Sequence, residues 1–346
     1  MVSMPQSHVS SNNSPSPRAA VSCTDLTKAY TYHEQQPGIG GALKGLVRRR
    51  QLSRTAVAAL DLEIPEGQIV GLLGPNGAGK TTTIKMLCGL LRPTSGELEV
   101  LGQNPSDRSF GFLRSISVVF GQKTMLWWDV PCYDSLLVHR QMYDLSRADF
   151  DSSVAELSEL LDVGDILKVP VRKLSLGQRM RCELMLALLH RPRLLFADEP
   201  TIGLDVVAKA NVREFFARVN RDLGTTVLLT SHDMDDVEAL CRRVVVIDHG
   251  NKRFDGDLSE LTRSVRPAKQ IRVSYADPVE PPDPLPAGAH LLHTAEPRLV
   301  ELEVDRAHLA EVLAAVTMWG PVTDLEVTDA DLDQVMAEVF GGGGTR

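Results

Sequence analysis

At 346 residues the chain is too long for one ordinary domain and can bury a large core, which predicts one large domain and a smaller companion. Hydrophobic residues make up 43% and charged residues 24%, excluding wholesale disorder, and a formal net charge of -8 argues against a protein built to wrap nucleic acid. Five scattered cysteines (Cys23, Cys88, Cys132, Cys182 and Cys241) with no C-x-x-C pair exclude a disulfide framework and a zinc site, and fit a reducing cytoplasm.

In chain order, residues 1–20 are rich in Ser, Pro and Asn and read as a disordered tail, with structure beginning near Val21. Leu60, Leu62 and Ile64 alternate on one face, a turn follows at Pro65-Glu66-Gly67, and Ile69 to Leu73 is continuously apolar. That pattern predicts a hairpin feeding a buried strand. From Lys80, the apolar residues Ile84, Leu87, Leu90 and Leu91 recur at helical spacing up to Arg92-Pro93. "ELEVLG" (97–102) and "SISVVF" (115–120) read as strands, and 134–163 and 178–190 as mostly helical. "RLLFADEP", "TTVLLTSH" and "RVVVIDHG" are short apolar strands separated by helical patterns, the alternation of a largely parallel sheet covered by helices. No run reaches the roughly 18 to 20 apolar residues of a membrane span, and the Ser/Pro-rich start lacks a signal-peptide pattern, so any work at a membrane needs another subunit. Beyond about 265 a Pro-rich acidic linker leads to strand, helix, strand, helix, which with "IRVSY" predicts a small α+β domain over 266–346.

Two motifs carry chemistry. Gly74, Pro75, Asn76, Gly77, Ala78, Gly79, Lys80 and Thr81 fit G-x-x-x-x-G-K-[ST] between a strand and a helix. Backbone N–H groups at a helix N-terminus can encircle a polyphosphate only where no Cβ blocks the approach. Lys80 is placed to reach the β and γ phosphates and the Thr81 hydroxyl to bind Mg²⁺, with Thr82 beside them. Downstream, "LLFADEP" (194–200) ends a buried strand on two carboxylates, Asp198 suited to hold Mg²⁺ through water and Glu199 to polarise or deprotonate an attacking water.

With "KLSLGQRMRCEL" (173–184) the chain resembles the ATP-binding cassette (ABC) ATPases, whose signature L-S-x-G-Q is matched by Leu174, Ser175, Leu176, Gly177 and Gln178. The resemblance covers about residues 21–260. It implies a P-loop NTPase α/β core over 21–265 with an antiparallel β subdomain and a helical subdomain near 123–176. It further implies a head-to-tail homodimer in which the signature of one copy caps ATP in the P-loop of the other. Gln122 in "VVFGQK" matches the Q-loop glutamine, a contact to Mg²⁺ or the attacking water. Gly203-Leu204-Asp205 match the D-loop and His232 the switch histidine on the γ-phosphate. Tyr30, with Tyr32 next, is the candidate to stack on adenine. Leu176 stands where the family often has glycine, and leaves Ser175 and Gly177 intact.

Within the family, the stretches "PGIGGALKGLVRRRQLSR" and "GQKTMLWWDVP" are most similar to ATPase subunits of ABC-2-type exporters, the viologen-exporter-like group beside the daunorubicin type. That implies a separate transmembrane permease as partner, a place on the cytoplasmic face of the membrane, and no nucleic-acid partner. Met125, Leu126, Trp127 and Trp128 form either an apolar docking groove for the permease or part of the core. The basic run Lys44, Arg48, Arg49, Arg50 and Arg54 is either a contact to anionic headgroups or the permease, or a solvated face. The rival readings are a soluble ABC ATPase acting on ribosomes or nucleic acid, which usually carries two cassettes, and a nucleotide-dependent switch. "NKRF" at Asn251 lacks the acid of a guanine-reading N-K-x-D.

Overall fold

The computed structural model describes residues 18–33, 51–121, 123–265, 268–292, 296–329 and 332–341. A six-stranded sheet runs in the order β5 (Ile116–Phe120), β6 (Leu194–Asp198), β7 (Thr226–Thr230), β3 (Ile69–Leu73), β8 (Arg243–Asp248) and β9 (Asn251–Asp257). The first five are parallel, and β9 returns antiparallel to β8. A three-stranded antiparallel sheet in the order β2 (Gln51–Pro65), β1 (Ala19–His33), β4 (Ser95–Val100) lies over one face of it.

The continuous apolar runs follow from this layering. In β6, Leu194 and Phe196 face the antiparallel sheet and helix α1 (Lys80–Leu87), where they join Leu26, Leu60, Ile64, Ile84 and Leu87. Leu195 and Ala197 face the opposite layer with residues of α5 (Leu176–Leu188) and α6 (Val206–Leu223), counting α2 (Phe110–Ser115), α3 (Cys132–Met142) and α4 (Arg147–Leu160) before them. A strand covered on both sides has no polar face to alternate.

The expected hairpin at 60–73 does not form. β2 pairs with β1, and β3 lies in the other sheet with β7 and β8 on its two edges, leaving no free edge for an antiparallel neighbour. The turn at Pro65–Gly67 carries the chain from one layer to the next. β1 begins at Ala19, two residues before the expected start, while residues 1–17 lie outside the described ones.

After β8 and β9 come α8 (Leu258–Val265), preceded by α7 (Met234–Leu240), and then a four-stranded antiparallel sheet in the order β11 (Ala289–Leu291), β12 (Leu299–Asp305), β10 (Ala268–Tyr275), β13 (Val322–Asp329). Its apolar face packs with α9 (Leu309–Val316) into a separate small core of Ile271, Val273, Val300, Leu302, Val312 and Val316. The last helix, α10 (Leu332–Gly341), buries Leu332, Val335 and Met336 with the large core instead, alongside Val237 of α7 and Leu261 of α8. All five cysteines are buried and free. Among the described residues no helix is long and apolar enough to cross a membrane.

Candidate functional site

Helix α1 starts without a side-chain cap. Gly79 occupies the cap position at φ 113°, and a Cβ there would lie 2.4 Å from the Ala56 carbonyl oxygen, so the loop 74–79 can take this path only with glycine at its end. The bare helix terminus points its N–H groups into the open space above the loop. Lys80 folds back over the loop, its Nζ donating to the carbonyls of Gly74 (2.6 Å) and Pro75 (3.3 Å). Burial lowers the pKa of that ammonium, and the charges of Glu199 and Asp198 pull it back up.

Asp198 ends β6 opposite Thr230 of β7, and the parallel register sets its bonds: Thr230 Oγ1 donates to one carboxylate oxygen at 2.7 Å, and Thr81 Oγ1 to the other at 2.9 Å. Glu199 follows in a left-handed conformation, φ 57°, that a non-glycine residue holds only when its surroundings impose it. Here the Glu199 N–H is fixed on the backbone oxygen (3.1 Å) and hydroxyl (3.1 Å) of Thr230. The other flank is closed by Gly121, where a Cβ would lie 1.9 Å from the Glu199 carbonyl oxygen. Its carboxyl is pushed above the ordinary glutamate range by burial, with His232 and Lys80 opposing. His232 Nε2 stands 3.0 Å from Glu199 Oε1, close enough for an ion pair once the ring is protonated.

These groups surround one cavity of about 630 Å³. Pro75 to Thr82 form its floor, Asp198, Glu199 and His232 one end, and Tyr30, Arg54 and His249 contribute from the antiparallel sheet and the turn before β9. Tyr30, 42% exposed, stands in this wall with Lys28 Nζ 5.4 Å from its ring centroid; Tyr32 does not line the cavity. Gly74 contributes its carbonyl to Lys80 and lies just outside the lining. Gln122 falls outside the described residues, between Gly121 and Lys123, both of which line the cavity.

Residues 57–202 match the family model described as ABC transporter. The chain is 38% identical over 235 residues to the Nod factor export ATP-binding protein I of Cupriavidus metallidurans, covering 68% of this chain and 77% of that one. The chain belongs to the ABC transporter ATP-binding family. To the daunorubicin/doxorubicin resistance ATP-binding protein DrrA of Streptomyces peucetius it is 37% identical over 230 residues, 66% of this chain and 69% of that one. Both relatives are named as ATP-binding proteins, and this chain is an ATPase of the ABC family. In fold it is similar to the dimeric post-hydrolysis structure of the ATP-binding cassette MJ0796 bound to ADP and Pi, at a TM-score of 0.57 and 23% identity over 69% of this chain and 98% of that one.

The ABC signature sits elsewhere. Ser175 caps α5, its Oγ accepting the Gln178 N–H (3.2 Å) while Gln178 Oε1 accepts the Ser175 N–H (3.0 Å), a reciprocal capping box. This uses the Gln178 side chain and leaves the Ser175 hydroxyl proton free to donate. Asp205 caps α6 through Ala208 N–H (2.8 Å), with Val206 and Val207 exposed beside it. None of residues 174–178, nor Asp205, lines the cavity of its own chain. Of the apolar stretch after Gln122, Trp127 and Trp128 are 56% and 50% exposed and Met125 is exposed, but Leu126 is buried in the core and belongs to no groove. Lys44 and Arg48 to Arg50 lie outside the described residues; Arg54 lines the cavity described above.

Sequence reading missed the side chains that hold the machinery in place. Thr230 is visible only as a polar residue ending an apolar strand. Asp236, almost fully buried, accepts from Ser231 (3.1 Å) and from Thr201 and Arg213, tying the segment after Glu199 to the segment around His232. Its single clue is a third acid in "HDMDD", where surface solvation is the ordinary expectation.

Proposed function

We propose that two copies of this chain close head to tail on two Mg-ATP and drive a separate transmembrane permease, for export, from the cytoplasmic face of the membrane. The observation that carries this reading is the separation just described: the signature hydroxyl and helix N-terminus, suited to a phosphate, stand outside the cavity that holds the phosphate site. A second copy brings them together. The nucleotide-binding domain spans 21–265 and takes in α10, which packs on its core, while the rest of 266–346 forms the small domain and its linker.

In this arrangement the α1 terminus and Lys80 hold the polyphosphate, and Tyr30 stacks on the adenine. Glu199 is the general base: its raised pKa makes it a better proton acceptor from the attacking water, and His232 holds it and the γ-phosphoryl oxygens in line. Ser175 of the second copy donates to the same phosphoryl group. The Thr81 hydroxyl and Asp198 carboxylate, two oxygens 2.9 Å apart at the mouth of the loop, fit a hard cation, with Gln122 as a further ligand. Bound there, Mg²⁺ supplies charge neutralisation of the phosphate oxygens. ATP does mechanical work because it binds the closed dimer more tightly than the open one. Met125, Trp127 and Trp128 offer the permease an exposed apolar contact.

Mixing Lys80→Ala with Ser175→Ala chains tests the dimer. Each variant alone is inactive, but a mixed dimer keeps one site with both groups intact, so an equimolar mixture recovers roughly a quarter of the wild-type rate if chains pair at random. A mixture that is as inactive as its components and forms no dimer with ATP overturns the head-to-tail arrangement.

A further inference from the structure

Glu183 lies in the interior of α5 and is almost fully buried. A buried carboxylate is costly unless its oxygens are saturated with donors. Here the donors all come from one turn: the hydroxyl of Thr124, the N–H of Met125 at 2.9 and 3.1 Å to the two oxygens, and the N–H of Leu126 at 3.3 Å. Burial pushes the carboxyl up and these donors pull it back. A leucine at this position would satisfy the packing but would leave the Met125 N–H and the Thr124 hydroxyl without this acceptor.

The two ends of this contact lead to different nucleotides. The turn directly follows Lys123, which lines the cavity of its own chain together with Phe120 and Gly121. Helix α5 begins at the signature, with Ser175 eight residues before Glu183, or about 12 Å along a rigid helix. A second tie joins the same two elements, with the Arg179 guanidinium 5.6 Å from the Trp128 ring centroid.

We propose that Glu183 is a positioning residue that couples the two ATP sites of the dimer. It clamps the segment bordering one nucleotide to the helix whose N-terminus closes on the other. A shift of Lys123 to Leu126 on nucleotide binding is thereby delivered to Ser175 and Gly177 as a movement of α5. The inference rests on the head-to-tail dimer proposed above.

The test compares full-length wild type with Glu183→Ala, Glu183→Gln and Thr124→Val, measuring hydrolysis against ATP concentration and, at high dilution, binding of a fluorescent ATP analogue to the monomer. The wild type is expected to show a Hill coefficient approaching its limit of about 2 for two sites, and Glu183→Ala one of about 1, with monomer binding of the analogue unchanged. Glu183→Gln keeps one acceptor oxygen and falls between. A residue that only stabilised the fold would change the amount of active protein and leave the coefficient where it was. Should Glu183→Ala not fold, the Gln and Val variants carry the same comparison. A cooperative wild type with equally cooperative, folded variants overturns the coupling alone; a wild type that is non-cooperative and stays monomeric with ATP overturns the dimer and the coupling together.

Discussion

His232 Nε2 lies 3.0 Å from Glu199 Oε1, and that buried oxygen has no aligned hydrogen-bond donor. Burial raises the Glu199 pKa, and the positive charges of His232 and Lys80 oppose the rise. A general base works only when ionised, so hydrolysis falls as pH drops through the Glu199 value, at a higher pH than an unperturbed glutamate gives. Removing the opposing charge in His232→Ala moves this acid limb further up, besides slowing the reaction. Glu199→Gln lowers kcat by on the order of 10² to 10⁴ while retaining ATP binding. Profiles of kcat against pH check both; an acid limb that stays in place in His232→Ala removes the electrostatic link.

Tyr30 and Tyr32 are separated by their position along the strand. Two residues apart on β1, they share a face of the strand, yet only Tyr30 lies at the cavity wall, opposite Arg54 in the β1–β2 register. Tyr30→Ala is expected to weaken ATP binding about fivefold, the loss of one ring-on-ring contact of about 1 kcal/mol, and Tyr30→Phe to leave it intact. Tyr32→Ala should bind ATP as wild type does. Titration of each variant with ATP decides, and an equal loss at both positions would falsify the assignment of Tyr30.

How much of this was legible in the sequence depended on whether a feature was local. The loop 74–81 and the pair Asp198-Glu199 could be read because strand, turn and helix signals lie within a few residues of the chemistry, and the structure brings both motifs to one cavity. The sheet change at Pro65–Gly67 could not, since a tight turn between two apolar strands looks the same whether or not the strands pair. Pairing is decided by β7 and β8, more than 150 residues downstream, which occupy both edges of β3. Glu183 and Asp236 were illegible for a similar reason: their partners, Thr124 to Leu126 and Thr201 with Arg213, are distant in sequence, and an acid in a helix is normally solvated. The sequence left Met125 to Trp128 open between groove and core, and the structure divides them, with Leu126 in the core among three exposed neighbours.

His190 closes the end of α5, with its ring stacked on Tyr143 at 3.9 Å and its Nε2 3.0 Å from the Ile116 carbonyl oxygen. The carbonyl only accepts, so the proton is on Nε2, and burial pushes the ring down from 6.5 to about 4. Between those values the unfolded chain binds a proton that the folded chain refuses. Stability is therefore fully present above about 6.5 and is lost as pH falls to about 4, by about 3 kcal/mol for this group. His190→Gln keeps a donor for Ile116 and cannot titrate in that window. Urea unfolding between pH 4 and 7 should show a shallower acid loss in the variant; an identical slope would place the acid sensitivity in other groups.

Helix α10 tests where the catalytic domain ends. Although 66 residues separate Leu332 from the last residue of α8, Leu332, Val335 and Met336 are buried with Val237 and Leu261, and α7 itself begins two residues after His232. Truncating such a side chain removes its transfer energy and leaves a cavity that the surrounding helices fill only in part. Leu332→Ala is expected to cost about 2 to 5 kcal/mol, and to lower the main unfolding transition, the one that ATP stabilises. If the helix instead belonged energetically to the small sheet of β10 to β13, the loss would appear only in a transition that ATP does not move. Calorimetry of wild type and variant, with and without ATP, distinguishes the two: an unchanged ATP-sensitive transition in Leu332→Ala means that α10 contributes nothing to the nucleotide domain.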